Sequence, residues 1–154
     1  MKHIQALINV QTIPEVFDKL FDSCLTNEEQ YLWLKITDGL EKAEKAFNRQ
    51  FKMIPFSTDL MGYTLGQFCW NKDKTYFKFN NYVMEHNQSL FDDTILHEVA
   101  HYIAFIMFGP NEHHGAGWKT ICQVIGARPE VCEKRPVKII SAKEQRKWNQ
   151  TKKV

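Results

Sequence analysis

The stretch LHEVAHYIAFIMFGPNEHHGAGW, residues 96–118, places His97, Glu98 and His101 inside an apolar run and two adjacent histidines beyond a Gly-Pro turn. Residues four apart on an α-helix share a face, so His97 and His101 can both aim a ring nitrogen at one ion about 2.0 Å away. Glu98 is rotated by about 100° around the axis. Its carboxylate therefore misses the ion and reaches a water beside it, as a general base must. A bound ion lowers the pKa of that water toward ~7, and the carboxylate takes its proton as it attacks a polarised carbonyl. Two imidazoles hold zinc weakly; sites of this chemistry use three protein ligands and keep the fourth position for water. Gly109-Pro110 ends the helix and turns the chain, which makes Glu112, His113 and His114 the candidates for the third ligand. Local spacing alone does not choose among them.

The alternative is a core helix that happens to carry histidines, since Val99, Ala100, Ile103, Ala104 and Ile106 would bury it in any case. Burying a carboxylate and two imidazoles with no ion to satisfy them costs several kcal/mol, which favours the metal reading.

Upstream of this helix, which the period extends from about Ser89 to Phe108, the pattern changes twice. Residues 12–26 read as a short amphipathic helix, with Thr12 as N-cap and Val16, Phe17, Leu20, Phe21 and Cys24 at helical spacing. A second helix opens at Thr26, three residues before Glu29 in a capping-box pattern, and carries Leu32, Ile36, Leu40, Ala43 and Phe47 on one stripe. Then KMIPFS (52–57), TLGQFCW (64–70) and TYFKFNN (75–81) read as three strands of an antiparallel or mixed sheet, with NKDK (71–74) as the turn between the last two. Downstream, Trp118, Ile121, Cys122 and Ile125 predict a helix from about Gly117 to Ile125, and SAKEQRKWNQ (141–150) a last helical turn or two.

The 154 residues suit one domain, and 44% hydrophobic with 25% charged residues is the composition of an ordinary globular protein. The four cysteines form no CxxC pair and the longest apolar stretch is far short of the ~20 residues that span a bilayer. A reducing cytoplasm is the expected location, or the nucleus in a eukaryote, with no membrane partner. Net charge is only +2, yet residues 134–154 carry eight Lys or Arg against one Glu, leaving 12 basic and 17 acidic residues in the rest. A basic end on a mildly acidic body marks either a polyanion partner or a solvated tail. In the first case Lys134, Arg135, Lys138, Lys143, Arg146 and Lys147 would meet phosphates while Trp148 stacks on an exposed base, a pairing suited to single-stranded DNA.

TILHEVAHYI followed by HHGAGWK resembles the SprT-like family, which includes the Spartan proteases that degrade proteins crosslinked to DNA. The family pattern is HExxH on a helix and a third histidine in an HGxxW or HGxxF element that opens the next helix. The resemblance is strongest over residues 55–126. It implies His97, His101 and His114 as ligands of one Zn2+, Glu98 as the catalytic base, and no ligand role for His113. Paired CxxC motifs of a further zinc ribbon, present in many members, are missing from this sequence. The expectation is thus an α+β fold: a single zincin-like domain over residues 1–133, with N-terminal helices, a small three-stranded sheet, an active-site helix and a following helix, then a basic tail over 134–154. The function expected is a zinc metalloprotease acting on DNA-bound or DNA-crosslinked proteins; the alternative is a DNA-binding or regulatory module whose zinc site is mainly structural.

Overall fold

A computed structural model describes residues 25–152; the helix expected over 12–26 lies almost wholly outside them. The elements are α1 (Asn27–Phe47), β1 (Phe56–Ser57), β2 (Gly66–Trp70), β3 (Thr75–Phe79), α2 (Asn81–His86), α3 (Gln88–Phe108), α4 (Ala116–Ile125) and α5 (Ala142–Thr151). The class is α+β, as the sequence pattern predicts. No helix among the described residues is long and apolar enough to cross a membrane.

α1 starts with the expected capping box: Thr26 Oγ1 accepts from Glu29 N at 3.1 Å while Glu29 reaches back to Thr26 N. Its stripe, Leu32, Trp33, Ile36, Leu40 and Ala43, is buried against α3 and α4. Gly39 weakens the helix intrinsically but lies where α3 crosses. A Cβ there would stand 3.1 Å from Val99 Cγ1 and 3.2 Å from Leu96 Cδ2. Its bareness is thus what lets the two 21-residue helices approach.

The sheet order is β1-β3-β2, with β1 parallel and β2 antiparallel to β3. All three strands are shorter than the alternation suggests, TLGQFCW starting only at Gly66. KMIPFS yields only Phe56–Ser57, because Pro55 has no N–H to give the ladder; its carbonyl still accepts from Phe77 N at 2.9 Å. TYFKFNN stops at Phe79, because the buried Asn80 side chain turns from strand to cap and accepts from Tyr82 N and Val83 N to start α2.

The basic C-terminal segment returns to the body. Asn87 clasps the Lys138 backbone through two 2.8 Å hydrogen bonds, and Arg135 bridges Asp93 and Glu133. α5, opened by a Ser141–Glu144 capping box, runs ten residues and buries Gln145 completely. Gln145 accepts from Gly62 N at 2.9 Å and donates to Asn80, Asn81 and the Leu60 carbonyl, while Asn80 donates to the carbonyls of Gly62 and Thr64. Trp148 does not offer an open ring. It packs edge-on against Tyr82 with centroids 5.0 Å apart, and Lys152 Nζ lies over it at 4.2 Å.

Gln145→Leu keeps the volume but orphans the Gly62 N–H and the Leu60 carbonyl, so urea unfolding is expected to show a loss of about 1 to 3 kcal/mol; a midpoint equal to that of the parent chain would contradict the network's role.

Candidate metal centre

α3 is the central helix, in contact with α1, α4 and β2. Its His97 and His101 project from one face, and His114 swings in from the α3–α4 loop. The three Nε2 atoms form a near-equilateral triangle with sides of 3.1, 3.1 and 3.3 Å. Burial pushes His97 down to about 4 and His101 to about 3, and lowers His114 as well, so all three rings are neutral at neutral pH. Neutral imidazoles that converge on Nε2 repel unless a proton or a cation lies between them. Three nitrogens around a tetrahedral ion at 2.0–2.1 Å stand about 3.3–3.4 Å apart, close to the triangle found. The donor set therefore fits one divalent cation: His97, His101 and His114 could hold a metal ion. His101 also donates to the His113 backbone, which orients its ring.

The choice between the adjacent histidines is made by the backbone. His113 adopts φ 48°, in the left-handed region that a histidine occupies more readily than most residues, and its side chain is exposed. That turn aims His114 inward. Glu112 is not placed as a ligand. Its carboxylate accepts from Gly117 N at 2.7 Å and Trp118 N at 3.3 Å, satisfying the first free amides of α4. Gly115 and Gly117 make room for it: a Cβ at either would stand under 3.0 Å from Glu112 Oε1, and one at Gly117 would also lie 2.5 Å from the Phe108 ring. Trp118, fully buried, floors the site, stacked on His101 at 5.3 Å and edge-on to His97 and His114.

Glu98 is buried, which pushes its carboxyl up to about 7, and it accepts a hydrogen bond from the Phe68 backbone. Gly66 leaves space for it; a Cβ there would lie 3.2 Å from Glu98 Cγ. Strand β2 thus closes one wall. Leu65 accepts from Asn80 N and Asn71 donates to Lys74 O, so the odd residues 65, 67, 69 and 71 bond to β3. Gly66, Phe68 and Trp70 consequently turn their N–H and C=O groups the other way. All five residues of β2 line the cleft, which a strand with alternating side chains does only along its edge. Among the described residues β2 pairs with β3 alone. Two cavities of about 440 and 750 Å³ meet at Gly66, His97, Glu98 and Val131, forming one cleft that passes the triad.

The SprT-like family profile matches residues 36–138, which hold the triad, Glu98 and the β2 wall. The chain belongs to the SprT-like family. Protein SprT of Pseudomonas aeruginosa is 31% identical over 112 residues, covering 71% of this chain and 67% of its own. Protein SprT of Pasteurella multocida is 28% identical over 109 residues (70% and 65%), and that of Pseudomonas fluorescens 32% over 106 (68% and 64%). The matches thus span about two thirds of each relative's length. No solved structure gives a significant match.

Of the residues expected to act in this SprT-like chain, the structure brings together His97, Glu98, His101 and His114. It leaves Lys134, Lys138, Lys143, Arg146 and Lys147 exposed on the C-terminal segment, commits Arg135 to Asp93 and Glu133, and packs Trp148 on the body. Sequence reasoning missed Glu112 as a helix cap and Phe68 N–H as the partner of Glu98. The glycines at 115 and 117 were the legible signal for the first.

Metal analysis of purified variants should find His114→Ala stripped and His113→Ala loaded like the parent chain; the reverse result would refute the ligand set. Gly117→Ala keeps every ligand but crowds Glu112 and Phe108, and a competition titration should show metal affinity lowered by about ten- to a hundredfold.

Proposed function

We propose that this protein is a zinc-dependent endopeptidase that cleaves proteins bound or crosslinked to DNA. The observation that carries the peptidase reading is Glu98: a buried carboxylate, beside the histidine triad and at the free edge of a strand, with no cationic side chain paired to it among the described residues. A purely structural zinc site has no use for it. Three imidazoles suit zinc among the common divalent cations. When bound, zinc supplies Lewis acidity, polarising a carbonyl and making water a better acid.

The remaining chemistry belongs to the chain. His97, His101 and His114 hold the cation and leave the cleft side of it open. An extended peptide can pair with the outward groups of Gly66 and Trp70 and with the Phe68 carbonyl, the Phe68 N–H being taken by Glu98, which fixes its backbone beside the triad by hydrogen bonds that ignore side-chain identity. Glu98, held by Phe68 N–H, accepts the proton of the attacking water at its carboxylate and returns it to the departing amine. Trp118 keeps the back of the site dry.

The DNA side of the reading is supported by charge. Lys134, Lys138, Lys143, Arg146 and Lys147 lie within ion-pair distance of no carboxylate among the described residues. Positions 143, 146 and 147 share one face of α5, opposite buried Gln145. Such a face suits a phosphate backbone, whether of single- or double-stranded DNA.

Glu98→Gln is expected to retain zinc and to lose cleavage of a DNA-bound protein by about a hundredfold or more; undiminished cleavage would remove Glu98 from the mechanism. Replacing Lys143, Arg146 and Lys147 with glutamine should weaken DNA binding and reduce the slope of log K against log salt by about two to three. An unchanged slope would place the DNA contact elsewhere.

A further inference from the structure

Stacked aromatic rings are gathered on one side of the triad. On the side of His97 the cleft is lined by Asp93, Arg128, Glu130, Glu133, Lys134 and Arg135, most of them engaged with one another, together with the apolar side chains of Tyr63, Leu65, Val137 and Ile139. On the side of His101 it is lined by Phe68, Trp70, Ala104, Phe105 and Pro110, with Gln67, Glu112 and His113 as its polar members. The aromatic half is a built surface. Trp70 stacks on Phe68 with centroids 5.8 Å apart and planes at 23°, and Phe105 lies 5.4 Å from Trp70 and 5.5 Å from Phe68. Even so, Trp70 remains 44% exposed, and Val131, where the two halves meet, 48%. Apolar side chains left open in a concave wall continuous with a reactive centre mark a binding subsite.

We propose that this half is a specificity subsite for a bulky apolar side chain, aromatic or large aliphatic, of the peptide to be cut; the proposal rests on the peptidase reading above. The register of β2 delivers such a side chain there. Trp70 turns its backbone groups outward, so a peptide strand added along β2 pairs directly beside it. Side chains of directly paired residues project to the same face, and that of Trp70 projects with Phe68 toward Phe105 on α3. The substrate residue beside Trp70 therefore points into the aromatic half. The subsite acts on the choice of bond, not on the chemistry, and makes Trp70 a specificity-determining residue.

The test uses the full chain loaded with zinc and a set of unstructured peptides identical except for Ala, Lys, Leu or Phe at one position. Fluorescence anisotropy on the Glu98→Gln chain reads binding, and mass spectrometry of unfolded casein cut by the parent chain reads bond choice. The Phe and Leu peptides should bind on the order of tenfold more tightly than the Ala peptide, and one position flanking the cut bonds should be enriched in large apolar residues. In the Glu98→Gln background, Trp70→Ala should bring the Phe-to-Ala ratio near one and Trp70→Phe should retain most of it. Equal binding of all four peptides, or cutting with no apolar preference, overturns the subsite and leaves the peptidase reading intact. The binding preference with no cleavage of any peptide or casein by the parent chain supports the subsite and overturns the peptidase reading. The comparison among peptides needs no variant at Trp70, so a misfolded Trp70→Ala chain would not spoil it.

Discussion

The packing of α4 onto α3 through Trp118 is the constraint on which the site depends. One indole, wholly buried, touches all three imidazoles, so the rings cannot move independently of the core. The first turn of α4 places that indole, and the amides of that turn are held by Glu112. A loop of seven residues between the helices thus does three jobs with little freedom: it stops α3, caps α4 and delivers His114. Two glycines and a histidine with positive φ are what that geometry demands of the sequence. The donor triangle is a product of helix packing and loop stereochemistry together, and the metal would be held by an arrangement already formed.

Much of this was legible. The capping box at Thr26 and Glu29, the stripe on α1, the start and stop of α3, and the histidine pair with its glutamate all follow from local spacing, because each is written within one or two helical turns. What was not legible depends on contacts far along the chain. Asn80 is as plausible at the end of a strand as at the cap of a helix, and only its burial against the 60–64 loop decides. The preference for His114 came from a family resemblance, since a φ of 48° at His113 leaves no mark in composition. Pro55 did carry a warning that β1 would be short, and the alternation of neighbouring apolar residues masked it.

The C-terminal helix shows another limit of pattern reading. Its charge excess reads as a solvated end because the eye looks for an apolar stripe, and α5 has none. Its buried side is Gln145 with half-buried Trp148 and Asn149, which dock through hydrogen bonds and ring edges where other helices use aliphatic contacts. Each buried polar atom must find its partner for such docking to be stable, and that requirement is invisible until the partners are in place. The same arrangement turns the remaining lysines and arginines outward together, so a basic face is the complement of a polar, well-satisfied inner one.

The Gln145 network also bears on the order in which the molecule is made. Gly62, two residues after Leu60 and four before β2, is held by a side chain 83 positions further along the chain. Contacts of such separation close late, after the local helices and the α1–α3 packing. On a ribosome the Gly62 N–H would wait for its partner until α5 had emerged, while Asn80 already held the Gly62 and Thr64 carbonyls. The backbone beside the cleft wall would then exist for a time with its carbonyls held and one amide free, and its anchoring would be complete only once residue 145 had emerged.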